Sequence, residues 1–82
     1  MKYKILIDKP AQKFILKQQP ENRKRLLTAI GRLPDEGDRK QMKGYKDLFR
    51  LRVGDYRVIY SVENEELIVR VITVGNRGDV YK

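Results

Sequence analysis

Between two runs of alternating residues, Leu48–Val53 and Tyr56–Val62, the chain places Gly54-Asp55, a glycine-first pair of the kind that closes a two-residue hairpin. That turn fixes a register, with Val53 opposite Tyr56, Leu51 opposite Val58 and Phe49 opposite Tyr60. Because side chains alternate along a strand, all of these apolar groups fall on one face. A turn around Asn64-Glu65 leads into a third run, Leu67–Val74, that extends the same face. It places Leu67 opposite Val62, Val69 opposite Tyr60 and Val71 opposite Val58. A meander with one apolar face needs a layer to cover it.

That layer lies upstream. Tyr3, Ile5 and Ile7 alternate within Lys2–Asp8 and read as an opening strand, although Leu6 interrupts the pattern. Pro10 suits the first turn of a helix carrying Ala11, Phe14 and Ile15. Pro20 opens a second helix carrying Leu26, Leu27, Ile30 and Leu33. Pro34 to Lys43, with Pro, Gly, Asp and few apolar residues, reads as an exposed connection. The expected class is α+β: an N-terminal strand, a helical hairpin, then an antiparallel three-stranded meander, with the helices on one face of the sheet. At 82 residues, with no repeat or linker, residues 1–82 are expected to form a single domain.

The other face of the sheet carries charge. The hairpin register sets Arg52 directly opposite Arg57, with Arg50 two residues away on the same face and Arg70 across from Ile59. Like charges directly opposite on neighbouring strands are destabilising, and a surface that needed only solubility would alternate signs. A solvated face whose arginine stems lie over Ile59, Ile68 and Ile72 accounts for the stems but not for the opposed pair. Arginine suits phosphate because its rigid fork donates two hydrogen bonds and keeps its charge at any physiological pH. The basic run Arg23-Lys24-Arg25 is a weaker signal, since such runs are commonly solvated helix faces.

The balance of 19 Lys and Arg against 11 Asp and Glu, a formal charge of +8, agrees with a polyanionic partner, nucleic acid above all. There is no Cys and no His, which excludes disulfides, thiolate nucleophiles, zinc fingers and His-based triads. No stretch approaches the roughly 20 apolar residues of a spanning helix and no signal-peptide pattern opens the chain, so a cytoplasmic protein without a membrane partner is expected.

Tyr56-Arg57-Val58-Ile59-Tyr60, Val74-Gly75-Asn76-Arg77 and Val80-Tyr81, in this order after an opening strand, a helical hairpin and Lys43-Gly44, resemble the RelE/ParE superfamily of type II toxin–antitoxin toxins. The resemblance spans nearly the whole chain. RelE-type members are ribonucleases that cleave messenger RNA, usually in the ribosomal A site, and are neutralised by a cognate, RelB-like antitoxin. The resemblance therefore implies mRNA, ribosome and antitoxin as partners, with neither metal nor other cofactor. By matching position it implies that Arg57, Arg77 and Tyr81 are catalytic. It also implies that Arg50, Arg52, Arg70, Lys43 and Lys46 bind RNA or its phosphates.

Some members carry lysines where this chain has Arg50 and Arg52, so proton transfer by those two positions is disfavoured here. Many relatives have His in place of Asn76, and the Arg77-to-Tyr81 spacing is shorter than in some, so the general base is either Tyr81 or another group. In the implied chemistry the RNA 2′-OH attacks the adjacent phosphorus, arginines stabilise the phosphorane, and the products are a 2′,3′-cyclic phosphate and a 5′-hydroxyl. Two alternatives stand beside it. A ParE-type toxin of the same fold would inhibit DNA gyrase, and a noncatalytic nucleic-acid-binding module would use the basic sheet as a platform. The platform lacks exposed aromatics, because Tyr56 and Tyr60 fall on the apolar face.

Overall fold

The computed structural model describes residues 3–35, 37–44 and 47–76. In chain order these form β1 (Lys4–Ile7), α1 (Lys9–Leu16), α2 (Pro20–Gly31), β2 (Asp38–Gln41), β3 (Leu48–Val53), β4 (Tyr56–Glu63) and β5 (Ile68–Asn76). The strands join in one sheet ordered β1-β5-β4-β3-β2. β1 runs parallel to β5, and the remaining neighbours are antiparallel. The α+β class and element order expected from the sequence are observed.

Both helices begin where a proline sits in their first turn, with the preceding Asp8 and Gln19 in extended conformation. Their apolar stripes, Ala11 and Ile15 on α1 and Leu26 and Ile30 on α2, are buried with Leu33 against Leu51, Val53, Tyr56, Val58, Tyr60, Val69, Val71 and Val74 of the sheet. Phe14 meets the Tyr56 ring edge-on at 5.9 Å, and the Tyr56 hydroxyl donates to Gln18 Oε1 at 2.8 Å, tying the link between the helices to β4. Leu27, read with the core stripe in the sequence, is 45% exposed. It lies one residue, about 100° around the helix, from Leu26 and misses the sheet.

The β3–β4 pairing is the one the Gly54 turn dictates, from Phe49 with Tyr60 to Val53 with Tyr56. Of the two turn residues only Gly54 has positive φ, at +59°, as a turn with glycine in first place requires.

Two expectations are corrected. The Pro34–Lys43 connection contains β2, whose four residues are all exposed. Nothing in its side chains alternates, because the strand is set by backbone pairing to β3 and not by burial of one face. The β4–β5 register is also displaced. Val69 pairs with Val62, Val71 with Tyr60 and Val74 with Val58. The turn runs two residues further along than expected, closing on Glu63 and Ile68, with Leu67 at φ +55°. A shift of two residues keeps Val69 and Val71 inward. An irregularity between Ile59 and Tyr60, where the partners pass from Thr73 to Val71, then turns Val74 inward in place of Thr73.

Gly37, just ahead of β2, has φ +112°, and a Cβ built there would stand 2.7 Å from Leu51 Cδ1. The start of β2 is thus packed backbone-first onto a core leucine. Gly54→Ala should cost about 1–2 kcal/mol for a left-handed alanine. Gly37→Ala should cost more, because Leu51 must also move. Urea denaturation of both variants measures the difference, and equal losses would contradict the close approach at Gly37.

Candidate nucleic-acid interface

The pairing partners across the sheet define rows on the face away from the helices. One row runs Asp38–Arg52–Arg57–Gly75 and the next Lys40–Arg50–Ile59–Thr73. Arg52 and Arg57 are direct partners, so their Cα atoms stand roughly 4.5–5.5 Å apart. Arg52 is exposed, while Arg50 and Arg57 are half-buried on the sheet surface. Arg50 holds its stem opposite the buried Ile59, and its Nε is buried with no hydrogen-bond partner. A buried guanidinium N–H without an acceptor costs free energy unless something supplies one. An anion on the face meets that N–H only when the Arg50 side chain turns outward. What this arrangement can do is bind phosphate with several fixed donors and stabilise added negative charge there.

The residues singled out in the sequence divide into three groups. Arg50, Arg52 and Arg57 come together on adjacent strands. Arg70 does not join them: it pairs with Ser61 rather than Ile59, and its Nε donates to Asp8 Oδ1 at 2.9 Å in an ion pair. The hydrogen bond and charge of Asp8 raise its already high pKa further. The longer β4–β5 turn is the physical reason for this displacement toward β1. Lys43 is exposed just beyond β2, where Met42 N–H still donates to Leu48 O at 2.9 Å. Lys46, Arg77 and Tyr81 lie outside the described residues.

Lys40 and Asp38 were not singled out, and they enter these rows only through β2. A sequence with four exposed polar residues carries no signal for that pairing. On the opposite, helix-side face Phe49 stacks on Tyr60 with centroids 5.6 Å apart. An open groove there is lined by these rings, Val62 and Pro34, with two cations, Arg39 and Lys40, and one carboxylate, Asp47. Burial pushes the Tyr60 phenol above its ordinary value, and the Arg39 guanidinium partly offsets this.

The family described as ParE toxin of the type II toxin–antitoxin system parDE matches residues 5–81. A chain of the archaeal RelE-RelB complex from Pyrococcus horikoshii is 29% identical, over 96% of this chain and 99% of that one, with a TM-score of 0.78. The isolated Escherichia coli RelE toxin is 28% identical over 96% of this chain and 90% of its own, with a TM-score of 0.73. A chain of the RelB-RelE antitoxin–toxin complex from Methanococcus jannaschii is 27% identical over 93% and 94%, with a TM-score of 0.74.

Two outcomes follow from this geometry. Arg70→Ala should reduce RNA affinity less than Arg50→Ala and leave the melting temperature close to wild type, since its partner contact is exposed. A larger RNA defect from Arg70→Ala would contradict the division of the face. Folded Tyr60 holds its proton more tightly than the unfolded chain does, so its stabilising contribution is present below about pH 10 and lost as pH rises through the raised value. Tyr60→Phe should therefore flatten the alkaline fall in stability, measured by denaturation across that range. An unchanged slope would assign the fall to other groups.

Proposed function

Because the chain belongs to the RelE/ParE superfamily of toxins from type II toxin–antitoxin systems, we propose that it is a RelE-type endoribonuclease cutting messenger RNA, in the ribosomal A site, without a metal. The observation that carries this reading is the row of arginines on one sheet face, with Arg50 Nε buried and lacking an acceptor. RNA brings its own nucleophile, so the protein needs only to align the 2′-OH, take its proton, stabilise the phosphorane and assist the leaving 5′ oxygen. Arg57, Arg52 and Arg50 grip the scissile phosphate. Tyr81 takes the 2′-OH proton. A free tyrosine titrates near pH 10, too high for a good base, so this role requires positive charge beside it that favours phenolate. Arg77 stabilises charge on the leaving oxygen. Guanidinium pKa values above about 12 make an electrostatic role stronger than a proton-donating one.

The same charge recruits the inhibitor. Relatives crystallised as complexes with RelB support a cognate antitoxin for this chain. The groove of Phe49, Tyr60 and Val62 with Arg39 nearby offers an acidic, amphipathic segment both an apolar floor and cationic contacts. We place this chemistry in the cytoplasm, where messenger RNA is translated. Among the described residues no helix is long and apolar enough to cross a membrane.

One observation favours a second reading: the family matching residues 5–81 carries the ParE description. Gyrase inhibition would follow. The two separate in a cell-free translation system with primer extension on the messages. Wild type should give new 5′ ends within translated regions. Arg57→Ala and Tyr81→Phe should each lower the cutting rate by about 100-fold or more. Intact messages together with blocked gyrase supercoiling would move the chain to the ParE activity, and Tyr81→Phe cutting at the wild-type rate would remove the tyrosine from the mechanism.

A further inference from the structure

The arginine face does not end at the hairpin. Arg52 and Arg57 are the last outward-facing pair before the turn, and Gly54 lies two residues, roughly 7 Å, further along β3. A Cβ built on Gly54 would stand 3.4 Å from Arg25 Nη1, so a guanidinium from α2 rests over the tip itself. Behind it an open cleft between α2 and β3 is lined by three cations, Lys24, Arg25 and Arg32, and one carboxylate, Glu21, with Asn22 and Thr28 as neutral hydrogen-bonding groups and Val53 at its floor.

A basic helix face is commonly no more than solvated, but two features distinguish this one. Glu21 stands four residues before Arg25, in the orientation that favours an intrahelical ion pair. Arg25 reaches the hairpin tip instead. Among the described residues, none of the three cations is held in an ion pair, by Glu21 or by Asp55 of the turn. Three uncommitted cations thus continue the line of positive charge from the sheet face, past the tip, into the cleft.

We propose that this cleft is a second phosphate-backbone site for the RNA strand whose scissile phosphate lies on Arg50, Arg52 and Arg57. Single-stranded RNA leaving that face meets the Arg25 guanidinium over Gly54 and sets its next phosphates on Arg25, Lys24 and Arg32. The inference rests on the ribonuclease reading. The cleft's three cations outweigh the one carboxylate of Glu21, and with its neutral donors it matches phosphate better than an acidic peptide, which would use more apolar floor than Val53 and Ala29 provide.

The test is fluorescence anisotropy on the full chain with two uncleavable, fully 2′-O-methylated RNAs, a trinucleotide and one of about twelve nucleotides, a length typical of single-strand sites. R25A/R32A is compared with K9A/K13A, which removes the same charge from exposed positions of α1. R25A/R32A should weaken the longer RNA about tenfold more than the control and reduce its log–log salt slope by about 1.4, two phosphate contacts at ~0.7 each. Trinucleotide binding should be unchanged, and R25K/R32K should keep the slope. Equal weakening by both alanine pairs would overturn the cleft while leaving the ribonuclease reading intact. Unchanged RNA binding with lost antitoxin binding would overturn it too, reassigning the cleft to an acidic partner. Wild type that binds neither RNA would remove both readings.

Discussion

The hairpin between β3 and β4 sets the rest of the molecule. One glycine at φ +59° closes it, and the resulting register sends Leu51, Val53, Tyr56, Val58 and Tyr60 into the core and Arg50, Arg52 and Arg57 to the opposite surface. A slip of one residue would exchange the two sets, placing guanidinium groups under the helices at a cost the fold cannot sustain. Core and candidate site are therefore specified by the same turn. Hydrophobic burial on one face holds in place a charge arrangement that the other face would not adopt for its own stability.

That arrangement trades stability for binding. Two arginines paired across neighbouring strands repel, and the buried Arg50 Nε has no acceptor. Asp38, opposite Arg52 on β2, supplies one negative charge to the row, and a phosphate on the face adds more. Sites built for charged ligands commonly carry such local penalties, offset by a well-packed scaffold. Here that scaffold is the core beneath β3 and β4.

The legible part of the molecule is the part with strong local signals. Gly54 announced the β3–β4 register, proline positions announced both helix starts, and the opposed arginines followed from the register. What escaped the sequence had no such signal. β2 consists of Asp38, Arg39, Lys40 and Gln41, all exposed, and exists because β3 offers its backbone edge. The β4–β5 turn uses Leu67 rather than a glycine at positive φ, and the irregularity beside Ile59 alters which residues face inward. The longer turn carried Arg70 out of the cluster and onto Asp8. Lys40, brought beside Arg50 by β2, extends the basic face in a way that strand patterning does not reveal.

The central claim, that the opposed arginines exist for phosphate, is tested most directly by the stability of Arg52→Thr with and without an uncleavable RNA. Without RNA the variant should be more stable than wild type by up to about 1 kcal/mol, an advantage that shrinks as salt rises. With RNA at about 100 times its dissociation constant, wild type should gain about 2.7 kcal/mol and the variant much less, reversing their order. A variant less stable than wild type without RNA, and stabilised equally by it, would contradict the account.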